Sequence, residues 1–194
     1  MAVAELLRAI DGFKGTFTVQ CALRLAPMFF VRPGELRRAE WVHFDLIKGE
    51  WRYLVTKTNT EHLVPLATQA VAILKELQPL TGHGRYVFPS LRTGERPMSD
   101  GTISAALQRM GFPKDEMTGH GFRAMARTML AERLGVAESV IEAQLAHNVR
   151  DSLGRAYNRT EFVDQRRTMM QAWADYLDRL SKGADVLPLY GRTA

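Results

Sequence analysis

Arg32, Lys57, His120, Arg123, His147 and Tyr157 carry side chains suited to the chemistry of phosphate esters, and each stands where its neighbours give it reach. Arg32 precedes Pro33-Gly34-Glu35-Leu36, which reads as a helix start. Proline suits a first turn, where its missing N–H is not needed, and Glu35 complements the positive end of the helix. Backbone N–H groups already favour an anion there, and a guanidinium can grip a phosphate with two parallel hydrogen bonds. His120-Gly121-Phe122-Arg123 opens another predicted helix. Residues three apart share a helical face, so both side chains can reach one ligand. Leu145-Ala146-His147 closes a further helix, and Tyr157 follows ten residues later between Arg155 and Arg159. A tyrosine has an ordinary pKa of about 10, so attack by its oxygen at neutral pH needs a phenolate stabilised by cations or helped by a base. Each residue also has a plain reading: a solvated arginine beside a turn, a chance H-x-x-R spacing, a capping histidine, a core tyrosine, a loop lysine.

The elements that must position these residues are mainly helical. Small and apolar residues at spacings of three and four (Ala22, Leu25, Ala26, Phe29) predict a helix from Thr18 to Phe30, followed by the fresh start at Pro33. From Glu40 the period switches to two. Trp41–Asp45 and Trp51–Thr56 read as strands joined by a tight turn at Lys48-Gly49. The polar stretch Lys57-Thr58-Asn59-Thr60-Glu61 separates the second strand from His62-Leu63-Val64-Pro65, which implies a small three-stranded antiparallel sheet. Ala67, Ala70, Val71, Leu74 and Leu77 mark an amphipathic helix closed by Pro79, and a Gly- and Pro-rich loop runs from Gly82 to Gly101. Further helices are expected near 102–110, 120–134, 137–147 and 151–158, with Gly135 as a C-terminal stop. A last helix from about Thr160 to Leu180 carries Met170, Trp173, Leu177 and Leu180 on one stripe, and the tail after Ser181 is expected to be loosely held. The fold class is therefore α+β, one domain, mostly α.

Composition narrows the partners. The net charge of +5, from 26 Lys and Arg against 21 Asp and Glu, permits a polyanionic partner without requiring one. No apolar run approaches the roughly 20 residues needed to span a bilayer, and residues 1–10 lack the cleavage signature of a signal peptide. The single cysteine, Cys21, cannot form an internal disulfide and sits in an apolar helical run, where a buried, inert thiol is expected. No carboxylate cluster or H-E-x-x-H spacing points to a metal site.

Taken in order, Arg32, Lys57, His120-x-x-Arg123, His147 and Tyr157 resemble the Arg–Lys–His-x-x-Arg–His–Tyr set of the tyrosine recombinases, the phage-integrase family. The local wording agrees. Phe30-Val31-Arg32-Pro33-Gly34-Glu35-Leu36 resembles the first arginine box, and Lys57-Thr58 through His62-Leu63-Val64-Pro65-Leu66 the lysine hairpin. Leu145-Ala146-His147 and Ala156-Tyr157-Asn158-Arg159 resemble the last two boxes. The stretch from Arg166 through Met169-Met170 to Ala174-Asp175-Tyr176-Leu177 resembles integrases of satellite phages and genomic islands most, and the likeness covers about residues 10 to 180.

The resemblance implies the DNA breaking-rejoining fold, with a catalytic domain over 1–180 and a flexible tail over 181–194. Family members carry an N-terminal DNA-binding domain ahead of this one. Almost nothing precedes the first predicted helix here, so an excised catalytic domain is expected, impaired in site-specific binding rather than in chemistry. The implied reaction is metal-free, cofactor-free attack on a DNA phosphodiester. Arg32 and Arg123 would clamp the two non-bridging oxygens, and His147 would add a hydrogen bond. Tyr157 would attack, leaving a 3′-phosphotyrosine and a free 5′-hydroxyl, and Lys57 would give the leaving oxygen its proton. His120 resembles the residue that takes the tyrosine's proton, and Glu35 would position Arg32. The implied partners are double-stranded DNA attachment sites and accessory excision or architectural proteins. The implied state is a tetramer on DNA and a monomer as an isolated fragment, in the bacterial cytoplasm and at the nucleoid when acting, with no membrane. The implied role is integration or excision of a prophage or genomic island. Two other readings stand beside this one: a type IB topoisomerase that relaxes supercoils without exchanging partners, and a DNA-binding module without catalysis.

Overall fold

A computed structural model describes residues 2–55, 59–146 and 162–183 of the chain. It is mainly helical with one three-stranded antiparallel sheet, as the alternation of periods implies. The helices are α1 (Val3–Gly12), α2 (Phe17–Phe29), α3 (Pro33–Arg37), α4 (Thr68–Thr81), α5 (Thr102–Arg109), α6 (Gly121–Glu132), α7 (Glu138–Gln144) and α8 (Val163–Ser181). The strands β1 (Phe44–Asp45), β2 (Glu50–Val55) and β3 (Thr60–Pro65) pair in chain order. None of these helices is long and apolar enough to cross a membrane.

One continuous apolar core joins the helices to the inner face of the sheet. On β2, Trp51, Tyr53 and Val55 point inward while Arg52 and Leu54 face out, the period-two alternation of a half-buried strand. Trp51 stacks on Phe44 at 5.0 Å between ring centroids and leans on Phe29 of α2 at 5.6 Å. β3 does not alternate: His62, Leu63, Val64 and Pro65 are all buried, because α8 covers its other face. Trp173 of α8 is fully buried and donates its indole N–H to the Pro27 carbonyl of α2 at 2.8 Å, which pins the C-terminal helix across the core.

The structure departs from the sequence reading in four places. Residues 3–12 form a helix that the apolar pattern alone did not mark; Leu6, Leu7 and Ile10 share its inner face, and it packs on α1's neighbours α2 and α8. Trp41–His43 is a 3-10 turn, and only Phe44 and Asp45 pair with β2. The Trp41 N–H goes to the Arg85 carbonyl at 3.1 Å and its indole to Thr81, so its hydrogen bonds are spent outside the sheet and Val42 is left exposed. Pro79 does not close α4, which runs on to Thr81; lacking an N–H, the proline removes one i→i−4 hydrogen bond, yet the backbone stays helical for two residues more. The helix before the Leu145 box ends at Gln144, and Ala146 takes a left-handed φ of 52°. Gly135, the expected stop after α6, has a φ of 61°, the conformation glycine adopts most cheaply. The helix expected at 151–158 lies outside the described residues.

Candidate active site

The turn between α2 and α3 is built on strain. Phe30 closes α2 with a left-handed φ of 38°, a conformation that costs a side-chain-bearing residue about 1–3 kcal/mol and persists where surroundings enforce it. The enforcement here is burial: the Phe30 ring is fully enclosed and meets Trp173 edge-on. The sharp turn delivers Arg32 to the N-cap of α3 with Pro33 as the first helical residue.

Glu35 then reaches back over that turn. Its Oε2 accepts the Arg32 backbone N–H at 3.0 Å, and its Oε1 accepts Arg32 Nη1 at 2.9 Å. A third donor, the Tyr53 hydroxyl of β2, reaches Oε2 at 2.9 Å. Burial, and then the Glu35 charge, push the Tyr53 phenol well above its ordinary pKa, so it remains a hydroxyl and a donor. The Arg32 side chain keeps 26% of its surface in solvent while the Glu35 side chain keeps 6%. The carboxylate is thus an enclosed strut, and the guanidinium it holds is open to a ligand.

Arg123 occupies the first turn of α6 and is only 6% exposed. Its Nη1 donates to the Phe30 carbonyl at 2.9 Å and its Nη2 to the Leu145 carbonyl at 2.8 Å. One side chain therefore ties the Arg32 box to the Leu145-Ala146 box. Both anchored carbonyls belong to, or directly precede, left-handed residues, Phe30 and Ala146. Burial makes the Arg123 charge costly, and the nearby Arg32 charge adds to this; together they lower its pKa. Two cations held this close favour an anion between them. A phosphate has oxygens that can accept from two guanidinium groups at once.

His120 is the N-cap residue of α6, with its side chain exposed, and its carbonyl accepts the Arg123 backbone N–H at 3.1 Å. The preceding Gly119 is pressed against α3: a Cβ there would stand 3.3 Å from Pro33 Cγ. That close approach brings the start of α6 beside the residue that follows Arg32. His120 and Arg123 share a helical turn but differ in depth, one at the surface and one buried. Lys57, His147 and Tyr157 lie outside the described residues.

Three supporting residues escaped the sequence reading as site components. Tyr53 shows only as one inward position in an alternating strand. His62, opposite Tyr53 in the β2–β3 register, is buried and its Nε2 lies 3.0 Å from the Gln144 carbonyl. Arg166 is fully buried on α8, where its guanidinium donates to Gln144 Oε1 at 2.9 and 2.8 Å and to the Leu63 carbonyl. Burial lowers its pKa to about 10, still far above neutrality, so it stays charged. It joins α8 and β3 to the end of α7. Cys21 is buried, and burial pushes its thiol up to about 11, the inert state its surroundings imply.

The profile of the phage integrase family matches residues 2–163. The integrase of Enterobacteria phage P4 is 38% identical over 190 residues, covering 90% of this chain and 43% of that protein. Prophage integrase IntA of Escherichia coli (strain K12) is 37% identical over 185 residues, covering 94% and 44%. The chain thus spans less than half the length of these relatives. The structure of the integrase from mycobacterium phage Brujita shares the fold, with a TM-score of 0.66 at 22% identity over all of this chain and 60% of that one. Fold, residue order and sequence likeness agree, and the chain belongs to the phage integrase family of tyrosine recombinases.

Proposed function

We propose that this chain is the catalytic part of a site-specific DNA recombinase, which cuts and rejoins double-stranded DNA through a 3′-phosphotyrosine at Tyr157 in the integration or excision of a prophage or genomic island. The observation that carries the reading is Arg123: its two Nη groups hold the carbonyls of Phe30 and Leu145, which are distant in sequence, and so both boxes converge on the cation pair of Arg32 and Arg123.

In the proposed reaction, Arg32, braced by Glu35, takes one non-bridging oxygen of the scissile phosphate and Arg123 the other, stabilising the charge that grows there. His147 donates to the same phosphate. His120 takes the Tyr157 proton as the phenol oxygen attacks phosphorus. The P–O bond to the 5′ oxygen breaks, and Lys57 protonates that leaving group. The phosphodiester's energy is held in the tyrosyl ester, so a 5′-hydroxyl from a second strand can reverse the step. Neither metal nor ATP has a part in this scheme.

The test is a covalent-capture assay with a randomised pool of nicked duplexes, in which the released fragment with the free 5′-hydroxyl diffuses away. The chain is expected to form a denaturant-stable protein–DNA adduct. Tyr157→Phe removes only the attacking oxygen, so binding should survive and the adduct should vanish. An adduct formed equally by the Phe variant would assign the attack to another residue.

A further inference from the structure

The cross-strand pair Tyr53–His62 sits at a junction that the proposed reaction does not use. On one side the Tyr53 hydroxyl donates to Glu35 Oε2 at 2.9 Å, and the same carboxylate holds the backbone N–H and Nη1 of Arg32. On the other side His62, edge-on to the Tyr53 ring at 5.6 Å, is 3.0 Å from the Gln144 carbonyl. Gln144 directly precedes Leu145, whose carbonyl Arg123 holds. The two strands that meet in this pair are the strands that residues 56–58, Lys57 among them, connect in sequence.

We propose that Tyr53 is a positioning residue: its hydroxyl, acting through Glu35, sets the orientation of Arg32 and fixes the β2–β3 hairpin relative to the cation pair. The proposal rests on the recombinase reading for its catalytic consequence, not for its geometry. Three features support it. Tyr53 is enclosed, so its hydroxyl is shielded from competing water. Its ring is locked between Trp51 at 4.4 Å and His62 at 5.6 Å, so the oxygen has little freedom to leave the carboxylate. Its raised pKa keeps the proton in place across the working range. Without this donor, Glu35 Oε2 keeps only the Arg32 backbone N–H, and the carboxylate can rotate away from Nη1.

Tyr53→Phe removes one oxygen and leaves the ring packing. At saturating DNA, the single-turnover rate of adduct formation should fall about tenfold or more, with the dissociation constant for the same nicked duplexes within about twofold of wild type. Glu35→Gln should also slow the rate. The double variant should be no slower than the slower single, because both changes break one chain of contacts. An unchanged rate in Tyr53→Phe would overturn the proposal, as would singles whose losses multiply in the double. Loss of the folded state on removing one oxygen would overturn it too, by assigning Tyr53 to stability. Arginine side-chain NMR separates this from the function itself: the Arg32 guanidinium should rotate faster in Tyr53→Phe even if the wild-type chain forms no adduct. Equal rotation in both proteins would refute the coupling whatever the chain does to DNA.

Discussion

Replacing Arg123 with lysine should damage both stability and catalysis, because one guanidinium serves both. The guanidinium holds the Phe30 and Leu145 carbonyls, both on residues at most 1% exposed. A lysine keeps the charge but has one compact ammonium in place of a planar fork, and it cannot span both acceptors. At least one buried carbonyl then loses a charge-assisted hydrogen bond, a loss of about 1.5–3 kcal/mol. For a chain of this size 1 kcal/mol moves the melting temperature by about 2–4 °C, so Arg123→Lys should melt about 3–12 °C lower. The left-handed turns at Phe30 and Ala146 are each strained by about 1–3 kcal/mol, and the one whose carbonyl is released loses a bond that restrains it. On DNA, loss of one oriented charge-stabilising donor should slow adduct formation by about 10²–10³ while affinity changes far less. Arg32→Lys is the companion: its guanidinium is more open and bonded to a side chain, so cleavage should fall with little change in melting. Thermal melts by circular dichroism and single-turnover capture on nicked duplexes read the two effects. An unchanged melting temperature would refute the role of Arg123 as a tie between the boxes. Wild-type cleavage by both lysine variants would refute the phosphate clamp.

Lys57→Ala should slow cleavage of ordinary DNA severely but much less when the bridging 5′ oxygen is sulfur, since a thiolate leaves without a proton; equal losses on both substrates would remove Lys57 from the general-acid role. Binding of this chain to duplex DNA should be weak, poorly sequence-selective and steeply reduced by salt, because phosphate contacts release counterions; tight, salt-insensitive, site-selective binding in a filter or gel-shift assay would contradict this. The Cys21 thiol has a folded pKa raised to about 11, so the unfolded chain releases this proton first. Its contribution to stability is therefore complete below the ordinary thiol range and lost as pH rises from about 9 toward 11. Chemical denaturation across that window should show a shallower decline for Cys21→Ala than for wild type, and parallel declines would discount the buried thiol.

Local signals were enough for much of this protein. The helix start at Pro33, the period switch at β2, the stop at Gly135 and the stripe on α8 are written in spacings of two, three and four residues, because such elements satisfy their hydrogen bonds within short segments. The order of the basic residues and the tyrosine was equally visible, since order is a property of the sequence. Trp41 failed as a strand residue because its N–H partner, the Arg85 carbonyl, is supplied by a distant loop. The apolar face of α1 acquires meaning only when α8 arrives to cover it. Arg123 as a tie between Phe30 and Leu145, and Tyr53 as a donor to Glu35, depend on segments that no local pattern brings together. Residue types alone could name the cations. Their depth, pairing and mutual repulsion come from the packed core, because burial and distance set the energy of a charge and both belong to the tertiary structure.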